Sequence, residues 1–142
     1  MPAAQRSIVI DRPVDQVFAF FTDPSNDEKW RPGVKEIAAQ GPMGVGTTIH
    51  QIIAGPGGRG IAANLEVTDF EPPSHYGFRV TAGPVRPVGQ LRFTPVENAT
   101  RVSFALTVEL RGIKKLLMSR PVQKSMDGEM ASLDRAKSIV EA

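Results

Sequence analysis

Across residues 101–110 the side chains alternate. Val102, Phe104, Leu106, Val108 and Leu110 are apolar, and Arg101, Ser103, Thr107 and Glu109 between them are polar. Successive side chains of a strand point to opposite faces, so this segment reads as a strand wet on one face and dry on the other. Tyr76, Phe78 and Val80 alternate in the same way with Gly77, Arg79 and Thr81, and Leu91 and Phe93 with Gln90, Arg92 and Thr94. Further strands are expected over residues 34–39, 47–53 and 61–70. Glycine- and proline-rich turns at 41–46, 55–60 and 71–74, and Glu97-Asn98-Ala99, separate them. The result is a meander of antiparallel strands with one dry face, and a dry face has to be covered.

The cover is at the C-terminal end. On a helical wheel Val122, Met126, Leu133 and Val140 share a narrow stripe, with Met130 beside them. Glu129 and Lys137 fall on or beside that stripe, which a purely structural helix does not require. Pro121 marks either the start of the main helix or a kink after residues 113–118. Near the front, RPVDQVFAFFTDPSNDEKW supplies two shorter helices. Pro13 suits a first helical position, and Val14, Val17, Phe18 and Phe21 form an apolar stripe. Asp23 can cap a second helix that begins at Pro24, and Trp30, the only tryptophan, follows. The order is strand, two short helices, about six further strands and a long helix, an α+β chain.

The 142 residues suit one domain, 1–142, and 41% hydrophobic with 23% charged residues suits a globular core. A net charge of +2 is too small an excess to imply nucleic acid. No apolar run approaches the roughly 20 residues of a membrane span, and the start MPAAQRSIVI has no export pattern, so the expected location is the cytoplasm. There is no cysteine, hence no disulfide or thiolate metal site, and the two histidines, His50 and His75, sit apart. No metal and no cofactor is implied. Residues 55–60 satisfy G-x-G-x-x-G, but the strand-like IAANLEVTDF follows where a dinucleotide site needs a helix; a hairpin loop is the expected reading. No G-x-S-x-G elbow supports nucleophilic catalysis.

RPVDQVFAFFTDPSNDEKW near the front, VGTTI, LEVTDFEPPSHYGFRV and RPVGQLRFTPVENATRVSFALTVELRG together resemble the START-like (SRPBCC) superfamily, and within it the bacterial polyketide cyclase/dehydrase-type proteins. The resemblance covers nearly the whole chain. It implies a helix-grip fold: a curved antiparallel sheet of about seven strands wrapped around the long C-terminal helix, with an apolar cavity between them. It carries no catalytic residue with it. Members include lipid carriers, ligand receptors, aromatase/cyclases and proteins that only bind partners.

Three functions stay open on these residues. One is binding of a small hydrophobic, lipid- or polyketide-like molecule; another is an aromatase/cyclase moving protons with Glu129, Tyr76 or a bound water; the third is an interaction module. For the ligand-binding reading the expected wall is Trp30 at the end of the pocket, Leu65, Val67, Tyr76, Phe78, Phe93 and Phe104 along the sheet, and Met126, Met130 and Leu133 above. Gln51, Tyr76 and Glu129 are the expected polar contacts. If Ile49 faces inward, Gln51 faces the cavity and His50 does not. His75 is expected to decorate a turn. Asp69, in phase with Leu65 and Val67, is a second candidate carboxylate beside Glu129. Residues 110–126 contain no acid but carry Arg111, Lys114, Lys115, Arg120 and Lys124 among Ile113, Leu116, Leu117 and Met118. That segment reads as a solvated face, or as peripheral contact with an anionic membrane.

Overall fold

The computed structural model describes residues 2–83 and 85–142. Strand β1 (Ala3–Ile10) leads into α1 (Val14–Phe21), a single 3₁₀ turn over Pro24–Asn26, and α2 (Asp27–Trp30). Six longer strands follow: β2 (Val34–Ala39), β3 (Thr48–Ala54), β5 (Leu65–Glu71), β6 (His75–Val80), β7 (Val88–Val96) and β8 (Ala99–Thr107), with the three-residue β4 (Gly60–Ala62) ahead of β5. The chain ends in α3 (Ile113–Ala131) and α4 (Leu133–Glu141), which abut at Ser132 as one long bent helix. The fold is the α+β helix grip expected from the sequence.

All strand pairings are antiparallel, in the spatial order β1-β8-β7-β6-β5-β3-β2, with β4 beside β3. The sheet curls into a half-barrel. Its inner positions are the alternating ones: Leu91, Phe93, Val102, Phe104 and Leu106 are all buried. Val122, Met126, Met130, Leu133 and Val140 of the long helix are buried over that face. The helix is tied to β1 by polar groups as well. Arg6 donates to the Met130 carbonyl at 3.0 Å and to Asp134 at 2.6 Å, and Lys137 donates to the Val9 carbonyl at 2.6 Å.

Four local readings are corrected. Helix α1 starts at Val14, with Pro13 just before it accepting from the Val17 N–H at 3.1 Å. Residues 61–70 are not one strand, because Asn64 interrupts the ladder: its Oδ1 accepts from the Gln51 N–H at 3.2 Å. Of the two readings of Pro121, the start of the main helix is excluded: α3 begins at Ile113, directly after Gly112 at φ +62°, and carries Pro121 inside it. A bulge lies between Val67 and Asp69, where the pairing with β6 slips by one residue. The extra residue, Thr68, reverses the phase. Phe70 therefore packs on the core, 5.5 Å from the Phe18 ring centre, and Asp69 does not follow Leu65 and Val67 inward.

Candidate functional site: a cavity with one polar end

Between the inner face of the sheet and α3 lies a cavity of about 250 Å³. Most of its wall is aliphatic or aromatic: Ile49 and Ile53 from β3, Leu65 from β5, Phe78 from β6, Leu91 from β7 and Phe104 from β8, under Met118, Val122 and Met126 of α3. Gly89 helps to shape it without touching it. A Cβ at that position would sit 2.2 Å from Phe78 Cζ, so the missing side chain is what lets the Phe78 ring lie across β7. Pro121 and Ser125 belong to the wall and are also exposed, so the cavity reaches the surface beside α3.

Away from Ser125 at that opening, the polar side chains of the wall are Asp27, Arg31, Gln51, Tyr76 and Glu129, and all but Tyr76 form one hydrogen-bonded cluster. Arg31, just after α2, donates from Nε to Glu129 Oε2 at 2.9 Å and from Nη2 to Glu129 Oε1 at 3.0 Å. Its Nη1 donates to Asp27 Oδ2 at 3.0 Å and to Gln51 Oε1 at 3.2 Å. Fork-on-carboxylate pairing of this kind is the strongest geometry open to an arginine side chain. Burial pushes the Asp27 carboxyl up to about 6, against the pull of Arg31, while the Glu129 charge pushes it further the same way. The Trp30 indole N–H also favours the charged form of Asp27 without reaching hydrogen-bond geometry, and its Nε1 has no hydrogen-bond partner among the described residues.

Tyr76 stands beside the cluster. Burial, then the nearby Asp27 charge, raises its phenol well above the usual range, so it stays protonated.

The expected wall divides in two. Gln51, Leu65, Tyr76, Phe78, Phe104, Met126 and Glu129 line the cavity. Trp30, Val67, Phe93, Met130 and Leu133 do not; each is at most 6% exposed and packs into solid core next to it. At Phe93 and Trp30 the filling comes from α1. Phe18 meets Phe93 edge-on at 5.2 Å, and Phe21 meets Trp30 at 5.2 Å. His50 is exposed and Gln51 buried, in the phase that follows from an inward Ile49.

His75 does more than decorate a turn. It is buried on the other face of the sheet, its ring held between Glu71 Oε1 and Gln90 Oε1. Gln90 in turn donates to Asp69 at 3.2 Å, over a Gly77 whose Cβ would lie 2.5 Å from Asp69 Oδ2. Hydrogen bonds from Gln90 and Thr68 hold the Asp69 carboxyl below its ordinary range. Among the described residues no cluster of three metal-ligating side chains forms, and the loop after β3 leads to a strand rather than a phosphate-facing helix.

Arg31 and Asp27 were missed in the sequence. The available signal was their i, i+4 spacing, the separation at which opposite charges meet on a helix. Glu129, on or beside the apolar stripe of the last helix, was a second hint, because a carboxylate at the edge of a core needs a partner.

At the N-terminal end of α3, Ile113, Leu116 and Leu117 are 74%, 83% and 67% exposed. No helix of the described residues is long and apolar enough to cross a membrane.

The same architecture recurs in solved structures. A protein of Thermus thermophilus matches with TM-score 0.81 at 21% identity, over 98% of this chain and 97% of that one. A START superfamily protein of Mycobacterium smegmatis matches with TM-score 0.78 at 12% identity, over 98% and 97%. The di-domain ARO/CYC protein StfQ from the steffimycin biosynthetic pathway matches with TM-score 0.79 at 12% identity, over 98% of this chain and 50% of that one. At these identities the likeness is one of fold. No curated protein matches the chain in sequence. The family model for polyketide cyclase / dehydrase and lipid transport matches residues 1–137, and the chain belongs to that family.

Proposed function

We propose that residues 1–142 form one START-like domain that binds a small, mainly apolar molecule in the cavity between sheet and α3, and that it works in the cytoplasm. The observation that carries this reading is the hollow itself: an apolar wall interrupted by a single polar cluster, reaching the surface at Pro121 and Ser125. Apolar burial supplies affinity in such a site and a few placed polar groups supply orientation. An interaction module would have no use for an open interior, so the cavity weighs against that alternative.

The aromatase/cyclase reading also has support. The Tyr76 hydroxyl and the Asp27 and Glu129 carboxyls share one cavity end, and a carboxyl titrating near 6 is suited to exchanging protons near neutral pH. Binding comes first in either case. The test is titration with a neutral, environment-sensitive probe such as N-phenyl-1-naphthylamine, together with native mass spectrometry of freshly purified protein. Saturable one-site binding supports the reading, and non-saturable partitioning overturns it.

Ile113, Leu116 and Leu117, flanked by Lys115, Arg120 and Lys124, form a cationic apolar tip that suits peripheral contact with an anionic bilayer. Leu117 lies one turn before Pro121, so contact there would bring the cavity opening to the lipid.

A further inference from the structure

We propose that the polar end of the cavity accepts a ligand head that donates hydrogen bonds, a hydroxyl or a protonated amine, and turns away a carboxylate. The proposal rests on the ligand-binding reading above and specifies the ligand class.

A cavity with an arginine on its wall suggests an anionic ligand, and the geometry points the other way. Arg31 is the only cation among the described residues lining the cavity. Its Nε, Nη1 and Nη2 are already engaged by Glu129, Asp27 and Gln51. One guanidinium faces two carboxylates, so with both ionised the cluster carries one net negative charge. Exposures of 14% for Arg31, 15% for Asp27 and 25% for Glu129 leave that charge poorly screened. A second anion brought here would lose its water and meet repulsion.

A hydroxyl fits better. It can donate to Asp27, since Arg31 takes only Oδ2 of that carboxylate, or to Glu129, whose oxygens have further lone pairs. Its own lone pairs can be met by the Tyr76 hydroxyl. A protonated amine donates to the same acceptors and neutralises the cluster.

The groups coupled electrostatically at this end are Asp27 and Arg31 around α2, Glu129 on α3 and Tyr76 on β6. Asp27 titrates at about 6. Protonation of Asp27 removes one negative charge from the cluster, so the advantage of an amine shrinks while that of an alcohol persists.

The experiment is displacement of N-phenyl-1-naphthylamine from the intact protein at pH 7.5 by decan-1-ol, decylamine and decanoic acid. Decylammonium and decanoate carry one charge each on the same chain, so their contrast reads the sign of the site rather than the cost of burying an ion. The amine and the alcohol are expected to displace the probe at about tenfold lower concentration than the acid. Decanoate competing as well as decylamine overturns the proposal and leaves the binding reading intact. Failure of the probe to bind removes both. Glu129→Gln keeps the side-chain shape and removes one negative charge, so the gap between amine and acid should narrow in it. A thermal melt shows whether this variant is folded; a folded variant with an unchanged gap also counts against the proposal. In wild-type protein the advantage of the amine over the alcohol, neither of which titrates between pH 7.5 and pH 5, should shrink across that range, and an advantage that holds or grows would overturn the assignment to Asp27.

Discussion

Arg31 grips both carboxylate oxygens of Glu129, at 2.9 Å and 3.0 Å, across 98 positions of sequence. This contact joins the short helices near the front of the chain to the helix that closes the cavity. Removing Glu129 takes two charge-assisted hydrogen bonds from the part-buried Arg31 guanidinium and leaves Asp27 as its one carboxylate partner. Glu129→Leu should therefore lower the unfolding free energy by about 2 kcal/mol, less than a fully buried pair because Glu129 is a quarter exposed. Urea unfolding followed by Trp30 fluorescence measures it, and no change would mean that the pair is not formed in solution.

Asp27 should give the protein an unusual dependence on pH. Its carboxyl binds a proton more tightly folded, at about 6, than its ordinary value of 3.8. Between these values the native state holds more protons than the unfolded chain, so this residue's contribution makes stability fall as pH rises through the window. Asp69, Asp134 and Glu141 are shifted downward and act at lower pH, in the opposite sense. The difference between wild type and Asp27→Asn isolates the residue: the variant should gain on wild type from pH 4 to pH 6, on the order of 2 kcal/mol. A difference that is flat over that range would refute the shift.

Met126 is on the cavity wall and Met130 is not, which makes two tryptophan substitutions diagnostic. Met126→Trp should fill the hollow, weaken binding of a neutral probe about tenfold and spare the fold, since the added volume has space to enter. Met130→Trp, in packed core, should instead cost stability through overpacking. Equal effects of the two on binding would contradict this placement of the wall.

Gly89→Ala tests the opposite wall. The added methyl would overlap the Phe78 ring, so the ring must leave its present position, at a cost of about 2 kcal/mol. Reducing the ring in the double variant Gly89→Ala/Phe78→Leu should return part of that stability. Additive losses in the two single variants would show that the ring and residue 89 do not meet.

The tip of α3 should bind vesicles containing phosphatidylglycerol at low salt and release them as salt is raised. Leu116→Ser with Leu117→Ser should abolish cosedimentation while leaving the melting temperature nearly unchanged, because both side chains are exposed. Equal binding to neutral phosphatidylcholine vesicles would contradict the electrostatic part.

What could be read from the sequence was whatever repeats. The alternation of Val102, Phe104 and Leu106 and the stripe of Val122, Met126 and Leu133 are periodic, and periodic signals survive without tertiary information. Single-residue events were less visible. Thr68 adds one position to β5, which sends Asp69 to the outer face and Phe70 to the core, and nothing in that strand's composition marks it. His75 could be placed just after a turn, but its burial depends on Gln90, fifteen residues away on the neighbouring strand. The cavity boundary was invisible for a similar reason. Whether an inward Phe93 meets a void or a neighbour is decided by how far α1 reaches into the half-barrel, since Phe18 is what it meets.

The division of the interior into a solid end and a hollow end has a consequence for how such a protein can change. Trp30, Val67, Phe93, Met130 and Leu133 pack the solid end, while Leu65, Phe78, Phe104 and Met126 bound the cavity. Leu65, Phe104 and Met126 are buried core as well as wall, but each borders open space, so a substitution there has room to change the shape of the hollow at less cost than one at the solid end. The same backbone can thus carry a differently shaped hollow, much as a lock can be rekeyed without recasting its case.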